Sequence, residues 1–177
     1  MIGTTVGQGE FGDVCMGSLA GSDTTKTVFI KKLSIDDMSG DNAGEGSPRS
    51  SAETRASLKL DFLKEAFVLC QLQHENVVSL VGIITETTQV AIAMEYAENG
   101  TLDVLLRANE GVFDLHQLQT FMRQIASGMN YLSRNGYVHR CLAASNVLVN
   151  AKFDCKISKF KTATKERVKV ILIDCCD

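Results

Sequence analysis

The amino-acid sequence predicts an α+β fold, in which a strand-rich first half carries one helix and a helical segment follows. The N-terminal stretch mixes Val, Thr and Phe with many glycines, which is typical of strands joined by tight turns. Further along, apolar residues recur at spacings of three and four and predict a helix with one buried face. These residues are Leu118, Phe121, Ile125, Met129 and Leu132.

Shorter segments complete the predicted order of elements. Residues 26–33 predict a strand, whereas residues 34–57 are rich in Ser, Asp, Gly and Glu, contain the only proline, Pro48, and predict a long flexible loop. An apolar stripe around Lys64 and Glu65 predicts the helix of the first half. Its members are Leu58, Phe62, Phe67, Leu69 and Leu72. The short apolar runs that suit strands are Val77–Ile84, Gln89–Glu95, Asn146–Asn150 and Cys155–Ser158.

The composition is that of an ordinary globular protein and excludes several functional classes. The 177 residues are 45% hydrophobic and 22% charged, and the formal net charge of -3 gives no overall attraction to nucleic acid. No stretch is long and apolar enough to span a bilayer. The six cysteines include no C-x-x-C pair and no Cys/His cluster for zinc, which indicates reduced thiols in a cytosolic setting.

A glycine-rich pattern lies near the N-terminus. Gly7, Gly9, Gly12 and Val14 fit G-x-G-x-x-G-x-V, in which the glycines let the backbone approach a phosphate closely. A dinucleotide-binding fingerprint would need a helix directly after the loop, but Val14–Gly17 continues as a strand. Taken alone, the pattern is equally compatible with an ordinary glycine-rich turn.

The segment Tyr137–Val149 carries the most specific motif. It contains His-Arg-Cys-Leu-Ala-Ala-Ser-Asn-Val-Leu-Val and resembles the catalytic loop H-R-D-L-A-A-R-N-V-L-V of tyrosine kinases. Val28–Lys31 stands where such kinases carry V-A-I-K, and the glycine pattern followed by a strand fits their phosphate-covering loop. The resemblance covers about residues 2–160 and implies a protein-kinase-like fold, with a β-rich N-lobe containing one helix and the start of a helical C-lobe.

The resemblance divides the chain into three parts. Residues 1–96 correspond to the N-lobe, residues 97–161 to the hinge and an incomplete C-lobe, and residues 162–177 diverge from the family pattern. Within that tail, Val168–Ile173 suits an added strand, unless splicing or an imperfect gene model has changed the sequence there. Because the later helices of the C-lobe are missing, we expect the apolar face of residues 118–132 to lack its usual partners.

The same resemblance implies an ATP site between the lobes. Lys31 would hold the α- and β-phosphates and pair with Glu65, and Met94 would be the gatekeeper. The positions that would line the nucleotide site are Val6, Gly7, Gly9, Gly12, Val14, Lys31, Glu65, Met94, Glu95, Ala97 and Leu148. A hydrophobic spine across the lobes would consist of Leu69, Leu80, His139 and Phe160. Without the resemblance, these residues would be an exposed lysine, a solvated glutamate and ordinary core.

Two catalytic positions depart from the family pattern. Cys141 replaces the catalytic-loop aspartate, which orients the substrate hydroxyl, and Lys159 replaces the Mg²⁺-binding aspartate of Asp-Phe-Gly. A general base typically contributes about 10²–10⁴-fold to a rate, so we expect its loss alone to lower the rate of phosphate transfer by a similar factor. Asn146 keeps the remaining metal-ligand position, but one neutral amide holds a hard cation weakly and Lys159 would repel it. The sequence therefore makes ATP a possible ligand and Mg²⁺ a doubtful one.

Two further substitutions affect the cleft. Phe29 replaces the small alanine that lies against adenine in V-A-I-K, so its ring either fills the adenine space or stacks beside the base. Ser145 replaces the arginine of the L-A-A-R-N phrase, which weakens any case for recognition of a tyrosine substrate.

Three functional hypotheses follow. The first is a catalytically inactive pseudokinase fragment that acts as a regulatory or interaction module, with a protein partner such as an intact kinase. The second is an ATP-binding protein tyrosine kinase of residual activity, in which Lys159 neutralises phosphate in place of a metal. The third is a non-functional truncated product of a kinase gene. In each case we expect a cytoplasmic location, as a cytosolic protein or as the cytoplasmic part of a membrane receptor.

Overall fold

The computed structural model describes residues 2–9, 12–20, 25–33, 48–85 and 90–165. A five-stranded antiparallel sheet and one long helix precede a region of helices and short strand pairs, so the predicted α+β fold is confirmed. The strands of the sheet are β1 (Ile2–Gly9), β2 (Gly12–Ala20), β3 (Thr25–Lys32), β4 (Leu80–Thr85) and β5 (Val90–Glu95). Their order across the sheet is β1-β2-β3-β5-β4.

Strand β3 has two different faces because successive side chains in a strand point to opposite sides of the sheet. Val28 and Ile30 are buried on one face, where they pack with residues of β4 and β5. Phe29 and Lys31 therefore share the other face, which is the face that matters for the cleft. The strand expected over residues 26–33 is confirmed, whereas the one expected from Val77 begins only at Leu80.

Helix α1 (Pro48–Leu69) begins earlier than the sequence indicated. Residues 48–57 belong to this helix, so the long loop expected over residues 34–57 is wrong for its second part. The physical reason is that proline suits the first turn of a helix, where its fixed φ is helical and its missing N–H would have no intrahelical partner. The only proline of the chain marks a helix start and not a loop.

The inner face of α1 packs on the sheet. Phe62 and Ala66 are fully buried and form a cluster with Leu33 of the β3 end and with Val90 and Ile92 of β5. Phe67, which the apolar stripe included, is 66% exposed, so its predicted place in the core is wrong. Residues five positions apart, such as Phe62 and Phe67, point in clearly different directions on a 3.6-residue helix.

The second half contains two helices and two short strand pairs. Helices α2 (Leu102–Ala108) and α3 (Leu115–Arg134) are followed by β6 (Tyr137–Val138), a 3₁₀ turn (Ala144–Asn146), β7 (Val147–Val149), β8 (Cys155–Ile157) and β9 (Thr164–Lys165). Strand β6 pairs with β9, and β7 pairs with β8, both antiparallel. The strands predicted from Asn146 and from Cys155 are thus confirmed.

The apolar face of α3 is partly covered, because Phe121 and Leu132 are buried whereas Leu118, Ile125 and Met129 are half-buried. Phe121 is buried in one cluster with Val147 and Val149 of β7 and with Leu102 and Leu105 of α2. Leu132 is buried in a second cluster that includes Ile157 of β8. The strand pair and α2 cover part of this face, because the chain after α3 folds back onto it.

Two further expectations concern the C-terminal tail and membrane-spanning helices. The strand expected at Val168–Ile173 lies outside the described residues. Within the described ranges, none of the helices combines the length and the apolarity that crossing a membrane requires.

Candidate functional site

The candidate site lies between the sheet and the helical region, and the β1–β2 hairpin forms its first wall. Gly7 pairs with Val14 and Gly9 pairs with Gly12, so the glycine pattern spans a tight antiparallel hairpin. Val14 is half-buried. The side chain of Val6 lies outside the described part of the chain. The glycines of the pattern thus lie on two paired antiparallel strands, and residues 10 and 11 between them lie outside the described part of the chain.

Lys31 and Glu65 form the central ion pair of the site. Lys31 Nζ lies 2.5 Å from Glu65 Oε2, although the two residues belong to β3 and α1. The side chains are 12% and 2% exposed, so the pair is largely removed from water. The Phe62 ring, with its centroid 5.8 Å from Nζ, covers the lysine from the helix side. Burial makes this pair sensitive to loss of either partner, because the remaining charge would be buried alone.

The Phe29 ring occupies the space between β3 and the segment after β5. Phe29 and Lys31 share one face of β3, and Phe29 lies opposite Met94 in the β3–β5 register. The ring packs against Tyr96, with centroids 4.8 Å apart and planes inclined by 54°. This geometry is favourable for an aromatic pair. The phenyl ring thus has a protein partner of its own at the end of the cleft where the resemblance places adenine.

The side chain of Glu95 points into the protein. Its carboxylate accepts a hydrogen bond from the backbone N–H of Ser79 (2.7 Å) and forms an ion pair with Lys156 of β8 (3.0 Å). Lys156 also donates to the backbone carbonyl of Glu75 (3.0 Å). The side chain of Glu95, which the resemblance places in the nucleotide site, therefore links β5 to β8. Ala97, two residues further along, is buried.

Sequence reasoning did not predict the ring contact of Tyr96 or the ion pair of Lys156. Each side chain acquires its role from a partner far away in the sequence. Similarly, Met94 and Leu148, which are half-buried, pack against one common core cluster although they come from β5 and β7. These contacts follow from the stacking of sheet and strand pair, which no local pattern encodes.

The segment after β6 brings His139, Cys141 and Asn146 together. The Asn146 amide nitrogen donates to the Cys141 carbonyl (2.6 Å) and to Cys141 Sγ (3.2 Å). The buried His139 ring contacts the Ser158 carbonyl through Nε2 (2.9 Å) and accepts the Cys141 N–H at Nδ1 (3.3 Å). These contacts assign the ring proton to Nε2 and leave the imidazole neutral. Burial also lowers the pKa of His139 below its ordinary value, although the Ser158 carbonyl and Glu65 oppose this shift.

Cys141 is exposed, so the position of the catalytic aspartate carries an accessible thiol. Buried Cys155 provides the contrast, because desolvation raises the pKa of its thiol to about 12 and keeps it protonated. An accessible thiol is a weak replacement for a carboxylate as a proton acceptor at neutral pH.

Lys159 and Phe160 lie beside the same segment. Lys159 is exposed and has a φ of 63°, whereas Phe160 is fully buried and meets His139 edge-on, with centroids 5.0 Å apart. Phe160 and Leu69 belong to one buried cluster, against which Leu80 packs. The structure thus brings together all the residues assigned to the spine: Leu69, Leu80, His139 and Phe160.

The site does not fit Mg²⁺. Asn146 Oδ1 is buried without a hydrogen-bond partner in the described structure, so one oxygen ligand is available in principle. A hard cation needs several oxygen ligands, usually with carboxylates among them. The nearby side chains at the two expected positions are a thiol and an ammonium group. No cluster of three or more His, Cys, Asp or Glu residues that could hold a metal occurs in the described ranges.

Comparison with known proteins agrees with this architecture. The family model for the protein tyrosine and serine/threonine kinase matches residues 48–169. An ephrin type-B receptor 3 of Danio rerio is 44% identical over 157 residues, which is 88% of this chain and 28% of that protein. An ephrin type-A receptor 5 of Gallus gallus and an ephrin type-B receptor 4 of Mus musculus are 40% and 42% identical, each over 88% of this chain and 14% of the relative. The chain thus spans less than a third of the length of these relatives.

Proposed function

Because this chain belongs to the protein tyrosine and serine/threonine kinase family, we propose that it is a kinase-like interaction module that does not transfer phosphate. The single observation behind the proposal is the state of the two catalytic positions. Cys141 and Lys159 stand where catalysis requires aspartates, while the surrounding fold keeps the Lys31–Glu65 pair and the buried spine. The two catalytic carboxylates are absent, whereas the fold that would position them is retained.

Electrostatics supports the loss of phosphate transfer. Phosphoryl transfer depends on metal ions that neutralise charge on the phosphates and on a carboxylate that orients the attacking hydroxyl. Two like unit charges about 4 Å apart repel by about 4 kcal/mol at an effective dielectric constant near 20, and a divalent cation doubles that repulsion. Lys159 therefore opposes the metal that the reaction needs.

The cleft geometry supports a binding role over a catalytic one. Phe29 packs on Tyr96, and Glu95 is tied to Lys156, so the end of the cleft next to β5 is filled and braced by the chain itself. A rigid, closed scaffold suits a surface that partners recognise. We propose that the partner is an intact kinase, and that the chain acts in the cytoplasm, where its four described cysteines would stay free thiols.

The decisive test is a restoration experiment. The purified chain should transfer no phosphate from Mg-ATP to a mixed tyrosine peptide substrate, and Lys31→Ala should not change that result. A double variant, Cys141→Asp with Lys159→Asp, supplies both missing carboxylates and is the positive comparison. Phosphate transfer by the unmodified chain that disappears in Lys31→Ala would refute the proposal.

A second candidate is ATP binding without Mg²⁺, with residual tyrosine kinase activity. The observations that favour it are the Lys31–Glu65 pair and the exposure of Lys159, because two ammonium groups can offset phosphate charge. ATP at a hundred times its dissociation constant should then stabilise the fold by about 2.7 kcal/mol, in EDTA as well as in Mg²⁺. Lys159→Ala should abolish the stabilisation in EDTA. No stabilisation in either buffer would exclude this candidate and leave the interaction module.

A further inference from the structure

Helix α1 carries an exposed apolar pair on the side away from the sheet. Leu60 and Phe67 are 57% and 66% exposed, and residues seven apart lie on the same face of a helix. Phe62 and Ala66 on the inner face are fully buried. We call Leu60 and Phe67 the α1 patch. The two side chains lie about two helical turns apart on this face, and both are more than half exposed.

Lysines surround the α1 patch. Lys59 and Lys64 are exposed, and Asp61 accepts a hydrogen bond from Lys64 at 2.7 Å. The Lys64 ammonium lowers the pKa of Asp61 through this bond, and Lys161 adds a further favourable charge. Among the described side chains of residues 57–67, Lys59 and Lys64 are exposed and Asp61 is half-buried, so this part of the patch border is basic.

A second exposed apolar pair lies at the turn between α2 and α3. Val112 and Leu115 are 71% and 69% exposed, and we call them the turn patch. Glu110 and Asp114 flank these residues in the sequence, and both are exposed. Asp114 caps α3 by accepting the Gln117 N–H at 2.7 Å, which fixes its carboxylate at this end of the helix.

The turn patch has an acidic border. Glu110 and Asp114 supply it, whereas Asp103 lies in the first turn of α2, at the opposite end of that helix, where Thr101 donates to its carboxylate at 2.6 Å. Arg107, in the last turn of α2, is the guanidinium group nearest in the sequence, so two exposed carboxylates stand against one basic charge. Carboxylates therefore dominate the turn patch, whereas ammonium groups dominate the α1 patch.

We propose that copies of this chain associate head to tail, with the α1 patch of one copy on the turn patch of the next. Each patch offers two apolar side chains of similar exposure, and their charged borders are opposite in sign. Complementary charge around an apolar centre steers association and fixes its register. The proposal concerns outer surfaces and is independent of whether the cleft binds nucleotide or transfers phosphate.

The contact predicts a particular kind of assembly. Because the two patches differ, each copy keeps one patch free after pairing, and association continues beyond the dimer unless the rotation closes a ring. Two such pairs bury less than the roughly 1,200 Å² typical of stable interfaces, so the association should be weak and depend on concentration. High salt should weaken it further by screening the charged borders.

Sedimentation velocity from 10 to 500 µM of the full chain measures this directly. We expect the weight-average mass to rise steadily with concentration in low salt and to fall back in 0.5 M NaCl. Phe67→Ser and Leu115→Ser should each lower the association constant at least tenfold. Ile83→Thr removes a 43% exposed apolar side chain from β4, outside both patches, and should change nothing. A chain that stays monomeric at 500 µM would overturn the proposal.

Mixing the two variants separates this arrangement from a symmetric one. Phe67→Ser still has a turn patch and Leu115→Ser still has an α1 patch, so an equimolar mixture should form dimers and stop there. A symmetric contact of either patch with itself would give no such recovery, and that result would refute the head-to-tail arrangement. Far-UV circular dichroism of each variant checks that the fold is kept.

A cross-link tests the proposed neighbours. Cys70 is exposed one turn after Phe67, and its Sγ lies 3.0 Å from the Phe67 carbonyl oxygen. A Val112→Cys variant should form intermolecular disulfides with Cys70 of the next copy under mild oxidation, and adding Cys70→Ser should abolish them. Equal cross-linking with and without Cys70 would contradict the proposed contact.

Discussion

Lys159 is held in a backbone conformation that suits glycine better than lysine. Its φ of 63° lies in the left-handed region, which costs an L-residue with a Cβ roughly 1–2 kcal/mol. The neighbouring Phe160 is fully buried, so the packed core imposes this conformation on the residue before it. The position where the resemblance places a metal-binding aspartate therefore carries a lysine in a strained backbone conformation.

We predict that Lys159→Gly stabilises the chain by about 1 kcal/mol, because glycine adopts positive φ without strain, although its greater freedom in the unfolded state offsets part of the gain. Urea denaturation followed by circular dichroism would measure the change. Lys152→Gly is the matched control, because Lys152 is exposed and its φ is not positive, so that substitution should give no gain. Equal stabilisation by both would contradict the strain argument.

At the scale of elements, the approach of α3 to β8 depends on Gly128. A Cβ at this position would lie 2.7 Å from the Asn76 carbonyl oxygen and 2.8 Å from Ile157 Cδ1. Gly128 is buried, and Asn76 is fixed by its own hydrogen bond to the Cys155 carbonyl (3.0 Å). The segment after α1, the helix α3 and β8 therefore meet at a point that has no room for a methyl group.

We predict that Gly128→Ala destabilises the chain by about 1–3 kcal/mol, the usual cost of overpacking, even though alanine is the better helix former. Asn130→Ala changes an exposed position of the same helix and should stay within about 0.5 kcal/mol of the unmodified chain. Both values come from urea midpoints at equal m-values. A neutral Gly128→Ala would mean that α3 can shift away from Asn76 at little cost.

The ion pair between Glu95 and Lys156 joins β5 to β8, and its side chains are only 17% and 12% exposed. The pair Lys64–Asp61 provides a comparison, because its side chains are 55% and 36% exposed. Partly buried pairs that lie in a hydrogen-bond network couple more strongly than exposed pairs, which are worth about 0–1 kcal/mol.

We predict a coupling of about 1–3 kcal/mol between Glu95→Gln and Lys156→Met in a double-mutant cycle on unfolding free energy. The cycle with Lys64→Met and Asp61→Asn should give no more than about 0.5 kcal/mol. If both cycles give the same value, then Lys156 does not act as a brace between the two strands.

At the scale of the whole molecule, several contacts join the α1 region to α3 and the strands that follow it. Tyr137 Oη donates to Gln71 (2.9 Å), and Tyr131 accepts the Gln73 N–H (2.9 Å) while its ring stacks on His74 at 4.7 Å. The buried His139 and Phe160 lie near the middle of this arrangement. Because the core is shared across both regions, a charge that appears in it should affect the stability of the entire chain.

We predict that the melting temperature falls as the pH drops from 7 to 5.5. Burial lowers the pKa of folded His139 below the unfolded value near 6.5, so the unfolded state binds more protons and gains stability as pH falls through this window. His116→Gln, at an exposed position, should keep the same slope. A direct check is the imidazole titration of His139 by NMR, and a folded pKa at or above 6.5 would contradict the prediction.

The sequence could predict what is local or carried by a motif. Hydrophobic periodicity predicted helix α3, and short apolar runs predicted several strands. The resemblance to the kinase family predicted the Lys31–Glu65 pair and the spine residues, which meet in the structure. The replacements of the two aspartates by Cys141 and Lys159 could also be recognised from the sequence alone. These features depend on which residues occupy the motif positions, and the spacing of those positions is a property of the family.

Only the tertiary structure decided the start of α1 at Pro48, the exposure of Phe67 and the residues that bury Phe121 of α3. The same holds for the packing of Phe29 on Tyr96 and for the pairing of Glu95 with Lys156. Composition does not distinguish a proline in a loop from a proline at the first position of a helix. Periodicity identifies an apolar face but not the residues that cover it. Such contacts arise between residues distant in sequence, so they become fixed only when sheet, helices and strand pairs pack together.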